Sequence, residues 1–155
     1  MKNFLIILSI LFISGLQANA MTESDAKAFF NNYIAKANSY SNELETMYSP
    51  KAVIIRQVIK PNGELVNVYT NTQTYLKQMK LSETVAKARN YKNYYSNIKI
   101  YKVSNGYKIT AIRQPSGDND KLKMYQIVKP DSKGKLLIVE ELMQTRQQIF
   151  LKYAK

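Results

Sequence analysis

The chain contains neither histidine nor cysteine in its 155 residues, and that absence bounds most of what its chemistry can be. Without imidazole there is no general base of the commonest kind, no serine–histidine or cysteine–histidine nucleophile and no histidine ligand for zinc. Without thiol there is no thiolate and no disulfide. Carboxylates and tyrosine hydroxyls are what remain for proton transfer. Glu140 and Glu141 are adjacent in a run that reads as a strand, and successive strand residues point to opposite faces, so one of the two must face inward. A buried carboxylate opposite a tyrosine hydroxyl that steadies an oxyanion would be a workable acid–base pair, with Tyr33 as the conceivable donor. The plainer expectation, and the favoured one, is that the inward glutamate pairs with a cation such as Arg113 or Arg56, or sits at a wet rim.

Other groupings carry less. Asp118-Asn119-Asp120 superficially suggests calcium, but the rest of a binding loop is missing and Lys121 follows at once. A solvated turn accounts for it, and no metal or cofactor is expected. The five glycines are spread singly, so no phosphate-cradling loop exists. Twelve tyrosines and no tryptophan are an unusual aromatic choice. Tyr91, Tyr94, Tyr95, Tyr101, Tyr107 and Tyr125 crowd the C-terminal half among lysines, a pattern that could stack single-stranded nucleic acid or glycan. Cross-strand packing explains the same residues more cheaply. The chain has 23 basic and 11 acidic residues, a net charge of +12. The cations are scattered without forming a run, so they make a field that favours anionic partners or simply keeps the protein soluble.

The elements that must position these residues follow from periodicity. Thr22 and Asp25 have capping-box spacing, and Ala26, Phe29, Phe30, Tyr33, Ile34, Ala37 and Tyr40 recur on one helical face. A short helix is predicted over Asn42 to Tyr48, stopped by Pro50. Two β-branched runs, Ala52 to Lys60 and Glu64 to Thr70, flank Pro61-Asn62-Gly63, a hairpin signal. Asn71 or Thr72 then caps a third helix with Tyr75, Leu76, Met79, Val85 and Ala86 on its inner side. From Tyr94 the chain reads as four antiparallel strands: Tyr94 to Val103, Tyr107 to Gln114, Met124 to Val128 and Leu136 to Arg146. The tail from Gln147 either extends the last strand or turns into a short amphipathic segment. The expected class is α+β, a curved antiparallel sheet packed against the opening helix and the third helix. Residues 21–155 suffice for one domain with one core.

The N-terminus has the parts of a secretory signal: Lys2, an apolar run from Phe4 to Leu16, and small residues at Ala18 and Ala20. The run is shorter than a spanning helix needs. Cleavage after Ala20 is expected, with the mature protein periplasmic or secreted. No cysteine follows the run to carry a lipid.

The element order, the step Leu44-Glu45-Thr46-Met47-Tyr48-Ser49-Pro50 into Ala52-Val53-Ile54, and the late run of long strands are similar to the nuclear transport factor 2-like superfamily. Its members include ketosteroid isomerases, SnoaL-type polyketide cyclases and non-enzymatic binding domains. The resemblance spans Thr22 to about Gln148 and implies a cone-shaped half-barrel with a cavity on one side, often dimerising through the sheet. Its enzymes place a carboxylate base or an Asp–His pair inside the cone, and the second version is impossible here. One scaffold hosts many activities, so no single one follows.

The expectation is an exported, non-enzymatic binding or assembly domain of the cell envelope. Its pocket would be lined by Phe30, Tyr33, Ile34 and Tyr75 from the helices and by Ile55, Ile112, Arg113 and Val139 from the strands. Partners would be a small apolar or anionic ligand or an envelope protein, with a membrane surface or a homodimer through the sheet as further contacts. Nucleic acid is not expected outside the cytoplasm. The alternatives are a small isomerase- or dehydratase-like enzyme with a glutamate base and tyrosine acid, and a secreted effector or immunity protein.

Overall fold

The computed structural model describes residues 20–154; apart from Ala20, the predicted leader lies outside them. Helix α1 spans Glu23–Asn38. Its start is a complete capping box: the Asp25 backbone N–H donates to Thr22 Oγ1 at 3.2 Å, and the Thr22 N–H to Asp25 Oδ2 at 2.8 Å. A 3₁₀ turn, Asn42–Met47, leads into strand β1, Tyr48–Ile59. Strand β2, Leu65–Asn71, returns antiparallel, and Asn71 caps helix α2, Thr72–Ala88, by accepting from the Thr74 N–H at 2.8 Å. Strands β3 (Asn93–Val103), β4 (Gly106–Pro115), β5 (Leu122–Pro130) and β6 (Leu136–Thr145) follow as a meander, and a 3₁₀ segment, Gln148–Tyr153, closes the described chain. The tail thus turns into a short segment of its own and does not extend the last strand.

The sheet order is β2-β1-β6-β5-β4-β3. The all-antiparallel expectation needs one correction, because β1 and β6 run parallel. Turn chemistry specifies the hairpin pairs, but β1 and β6 meet through a long connection that contains α2, which no turn signal reports. Pro50 also differs from expectation. The chain enters β1 at Tyr48, and Pro50 falls in the irregular stretch where β1 leaves register with β6 between Tyr48 and Val53. Gly106 opens β4 where a Cβ would stand 2.2 Å from the Val128 carbonyl oxygen, so only glycine fits.

One face of the sheet carries the core. Ile54, Ile109, Val128 and Ile138 are fully buried there against Ala26, Phe30 and Tyr33 of α1. Helix α1 packs over β3 and β4, while α2 packs over β1 and β2. The two helices therefore cover opposite ends of one sheet face and leave a gap above its middle strands. Their C-terminal ends are joined at one end of that gap. Tyr40, in the left-handed conformation at φ 56°, turns its hydroxyl to the Tyr91 carbonyl at 2.5 Å and the Ala86 carbonyl at 3.1 Å. Asn38 pairs both ways with the Asn93 backbone at 2.9 Å, fixing α1 to the start of β3. On α2, Tyr75 is buried with Leu76 and Met79 packed beside it, but Val85 is exposed. The later turns of the helix overhang the gap instead of the sheet.

Candidate functional site

The gap is a cavity of about 680 Å³. Its apolar wall includes Tyr33, Tyr75, Met79, Tyr95, Met143 and Phe150, and three guanidinium groups line it: Arg56 and Arg113 from the strands and Arg89 at the end of α2. A smaller pocket of about 390 Å³, bounded by Val68, Tyr69 and Tyr153, shares Arg56 and Tyr75 with it.

Glu141 lies beneath this wall and is fully buried. Strand alternation turns it inward and Glu140 outward, as one of the pair had to be. Gln126 stands directly opposite on β5 and donates to Glu141 Oε2 at 2.9 Å. The Tyr48 hydroxyl donates to the same oxygen at 2.8 Å, and that of Tyr33 reaches it at 3.4 Å. The other oxygen, Oε1, faces Arg56 Nη1 at 3.6 Å. Arg56 also lies over the Tyr75 ring, 4.5 Å from its centroid, and the Tyr75 and Tyr48 hydroxyls are 3.4 Å apart. Arg56 thus provides the counter-charge that a buried carboxylate requires.

Burial, and then the charge of Glu141, push the Tyr33 and Tyr48 hydroxyls well above their ordinary value of 10.0, and the same two causes raise Tyr75. These phenols hold their protons tightly and serve as neutral donors. Burial alone would lower Arg56, yet Tyr75, Glu141 and Tyr48 more than offset it and hold the guanidinium above its usual range. The cluster is a charge-compensated ion pair in which Glu141 Oε2 carries the hydrogen bonds, while Glu141 Oε1, Arg56 Nη1 and Gln126 Oε1 are buried without a hydrogen-bond partner. Glu141 does not line the cavity, so the base expected of an isomerase-like site is withdrawn from any ligand there. Glu140 is engaged on the opposite face by the Tyr125 hydroxyl at 2.5 Å.

Arg113 is the second guanidinium that a strand brings to the cavity. It projects from the inner face of β4, opposite Tyr95 on β3 and Leu122 at the start of β5. The β5–β6 ladder ends at the pair Met124 and Met143. Beyond that point Arg113 Nη2 donates to the Gln144 carbonyl at 2.8 Å, and Nη1 to Asn93 Oδ1 at 2.8 Å and to the Tyr91 hydroxyl at 3.4 Å. Its Nε–H is buried without a partner. The residue is 7% exposed, and among the described residues no carboxylate comes within 4.0 Å of it.

Of the residues expected to line the pocket, Tyr33, Tyr75 and Arg113 do so. Phe30 is buried in the core, stacked on Tyr33 with ring centroids 5.9 Å apart, and Ile34 packs beside that core; neither reaches the cavity. Ile55 and Ile112 must be corrected to the other face. Ile55 lies between inward Ile54 and Arg56, and Ile112 between inward Ala111 and Arg113, so alternation turns both away. Val139 is the extra residue where β6 shifts register against β5, outside the lining. The sequence reading missed Tyr48 and Gln126 as partners of Glu141, and Tyr95, Met143 and Phe150 as wall. A usable signal existed for two polar groups: Arg56 interrupts the inward series Ile54, Arg56, Val58, and Gln126 the series Met124, Gln126, Val128.

A curved six-stranded sheet roofed by two helices, with a cavity on the roofed side, is the nuclear transport factor 2-like cone. No protein-family model and no curated protein matches the sequence. Solved structures do match the fold. A nuclear transport factor 2-like protein of unknown function from Pseudomonas putida superposes with a TM-score of 0.61 at 7% identity, over 79% of this chain and 84% of that one. A protein from Catenulispora acidiphila in complex with S-DNPA gives a TM-score of 0.55 at 7% identity, over 83% and 96%. A yeast deubiquitinase and cofactor complex gives 0.59 at 18% identity, over 79% and 95%. At these identities the likeness is one of fold.

Proposed function

We propose that the chain is an exported, non-catalytic binding domain of the cell envelope whose cavity takes a small amphipathic ligand. The observation that carries this reading is the 680 Å³ cavity between the helices, within the range of pockets that hold drug-sized molecules. Its wall combines aromatic and thioether side chains such as Tyr33, Tyr95, Met79 and Met143 with many polar and charged groups, an amphipathic lining. The acid–base reading loses its base, since Glu141 does not reach the cavity: its Oε2 accepts from Tyr33, Tyr48 and Gln126, and its Oε1 faces Arg56 at 3.6 Å. Neighbours of the same fold hold a small molecule in one case and a protein complex in another, so the scaffold supports contacts of either kind.

The test is to purify the protein from its native compartment and extract it for mass spectrometry. A stoichiometric small molecule supports the reading. A protein that emerges empty and shows no thermal stabilisation by any member of an amphiphile library overturns it, and favours assembly with another protein. Export is tested separately: N-terminal sequencing of the mature protein should begin at Met21, and retention of residues 1–20 would sink that part of the proposal.

A further inference from the structure

We infer that the cavity takes an amphiphile ending in a carboxylate, and that the carboxylate seats on Arg113. This rests on the cavity being a ligand site, as proposed above, and adds the chemistry of the headgroup.

The starting point is a contrast within one wall. A charge withdrawn from water is costly unless another charge compensates it. The chain meets that requirement at Arg56 with Glu141. At Arg113 it supplies only neutral acceptors: a carbonyl, an amide oxygen and a phenol. Those bonds use three of the five N–H groups a guanidinium offers. They explain why Arg113 holds its place, yet they leave its charge unbalanced and its buried Nε–H unpartnered.

A planar guanidinium with two N–H groups to spare fits the two oxygens of a carboxylate, and the bond gains strength because Arg113 is itself buried. The rest of the wall supports the sign. Its cations are Arg56, Lys80, Arg89, Arg113 and Lys152 and its acids Glu45 and Glu83; with Arg56 paired to Glu141 and Glu83 to Lys87, four cations stand against Glu45. Tyr33, Met79, Tyr95 and Met143 suit the apolar body of such a ligand. A neutral or cationic ligand would leave the guanidinium uncompensated.

The experiment compares decanoate, decan-1-ol and decyltrimethylammonium by calorimetric titration of the wild-type mature protein. Decanoate should bind roughly 10- to 100-fold more tightly than the alcohol, the span of a charge-assisted bond, and the ammonium should bind weakest. Equal binding of acid and alcohol overturns the carboxylate inference while leaving the cavity reading intact. Binding of none of the three counts against both, and a native extract then distinguishes them: an extracted neutral ligand preserves the cavity and removes the carboxylate.

R113Q locates the contact. It should lose the preference for decanoate while still binding the alcohol; a folded variant that keeps the preference overturns the assignment to Arg113. Where R113Q does not fold, the wild-type protein still decides through the Arg113 Nε–H resonance, assigned against R113K. That resonance should shift with decanoate and stay in place with decan-1-ol, and an unmoved signal under saturating decanoate rejects the proposal.

Discussion

Arg56 and Arg113 line one cavity from different strands, and their surroundings differ in kind. Arg56 is compensated: a carboxylate below it, a tyrosine ring against it, and tyrosine hydroxyls around the carboxylate. Arg113 is held by neutral groups at the point where the β5–β6 ladder stops. The difference separates two uses of a buried charge. A compensated ion pair belongs to the folded state, whereas a charge left unbalanced beside a cavity is available to whatever enters.

The largest effect that tests this contrast is expected from Glu141→Ala. It leaves Arg56 without its anion and the Tyr48 and Gln126 donors without their acceptor, and should cost about 3–5 kcal/mol in urea unfolding. Replacing the pair together, Arg56→Met with Glu141→Leu, should restore most of that loss, because removing both charges avoids a stranded one. A loss below about 1 kcal/mol for Glu141→Ala would place it with ordinary surface pairs and erase the distinction.

Alkali reaches the same cluster by another route. Tyr33, Tyr48 and Tyr75 have folded-state values raised above 10.0, the ordinary value expected in the unfolded chain, with burial as the first cause. Their contribution is therefore complete below pH 10.0 and declines as pH rises beyond it, because the unfolded state then releases protons that the folded state keeps. The melting temperature should hold steady up to that point and fall above it. Phenolate absorbance should show these hydroxyls ionising only with unfolding. If all twelve tyrosines ionise together while the fold persists, the cluster is not closed to water.

Arg113→Met is the counterpart on the other strand. It removes a cation that nothing balances, and its cost comes from the acceptors it leaves, mainly the Gln144 carbonyl. An expected loss of about 1–2 kcal/mol is well short of Glu141→Ala. Equal losses would make Arg113 as structural as Arg56 and weaken the case for a ligand contact.

How much of this was legible in the sequence depended on whether local chemistry or a distant partner decided it. The capping box at Thr22 and Asp25, the Asn71 cap and the hairpin at Pro61-Asn62-Gly63 are settled within a few residues, and each formed where expected. The parallel pairing of β1 with β6 joins segments far apart in sequence, and no local signal encodes it. The cavity was harder still. Alternation stated that only one of Glu140 and Glu141 could face inward, but not which. It also forbids Ile112 and Arg113, as neighbours on one strand, from sharing a face, so only one of them can line the cavity. Ile55 misled for a different reason: it is buried although it faces away from the helices, and apolar character alone does not choose a side.

Glu140 and Glu141 give the sharpest and smallest comparison, since the residues are adjacent and chemically identical. Glu140 faces outward, accepts from the Tyr125 hydroxyl at 2.5 Å, and has Lys108 nearby, 4.1 Å above the Tyr125 ring. Tyr125 is raised above 10.0, first by partial burial and then by its bond to Glu140. That contact remains open to water, which can replace either partner. Glu140→Gln should therefore change stability by no more than about 0.5 kcal/mol, while the Tyr125 titration moves back towards its ordinary value. Thermal unfolding and a phenol titration of the one variant report both quantities. A stability loss matching that of Glu141→Ala would mean that the outer face of the sheet is as closed as the inner one, and facing direction would no longer explain why the two glutamates differ.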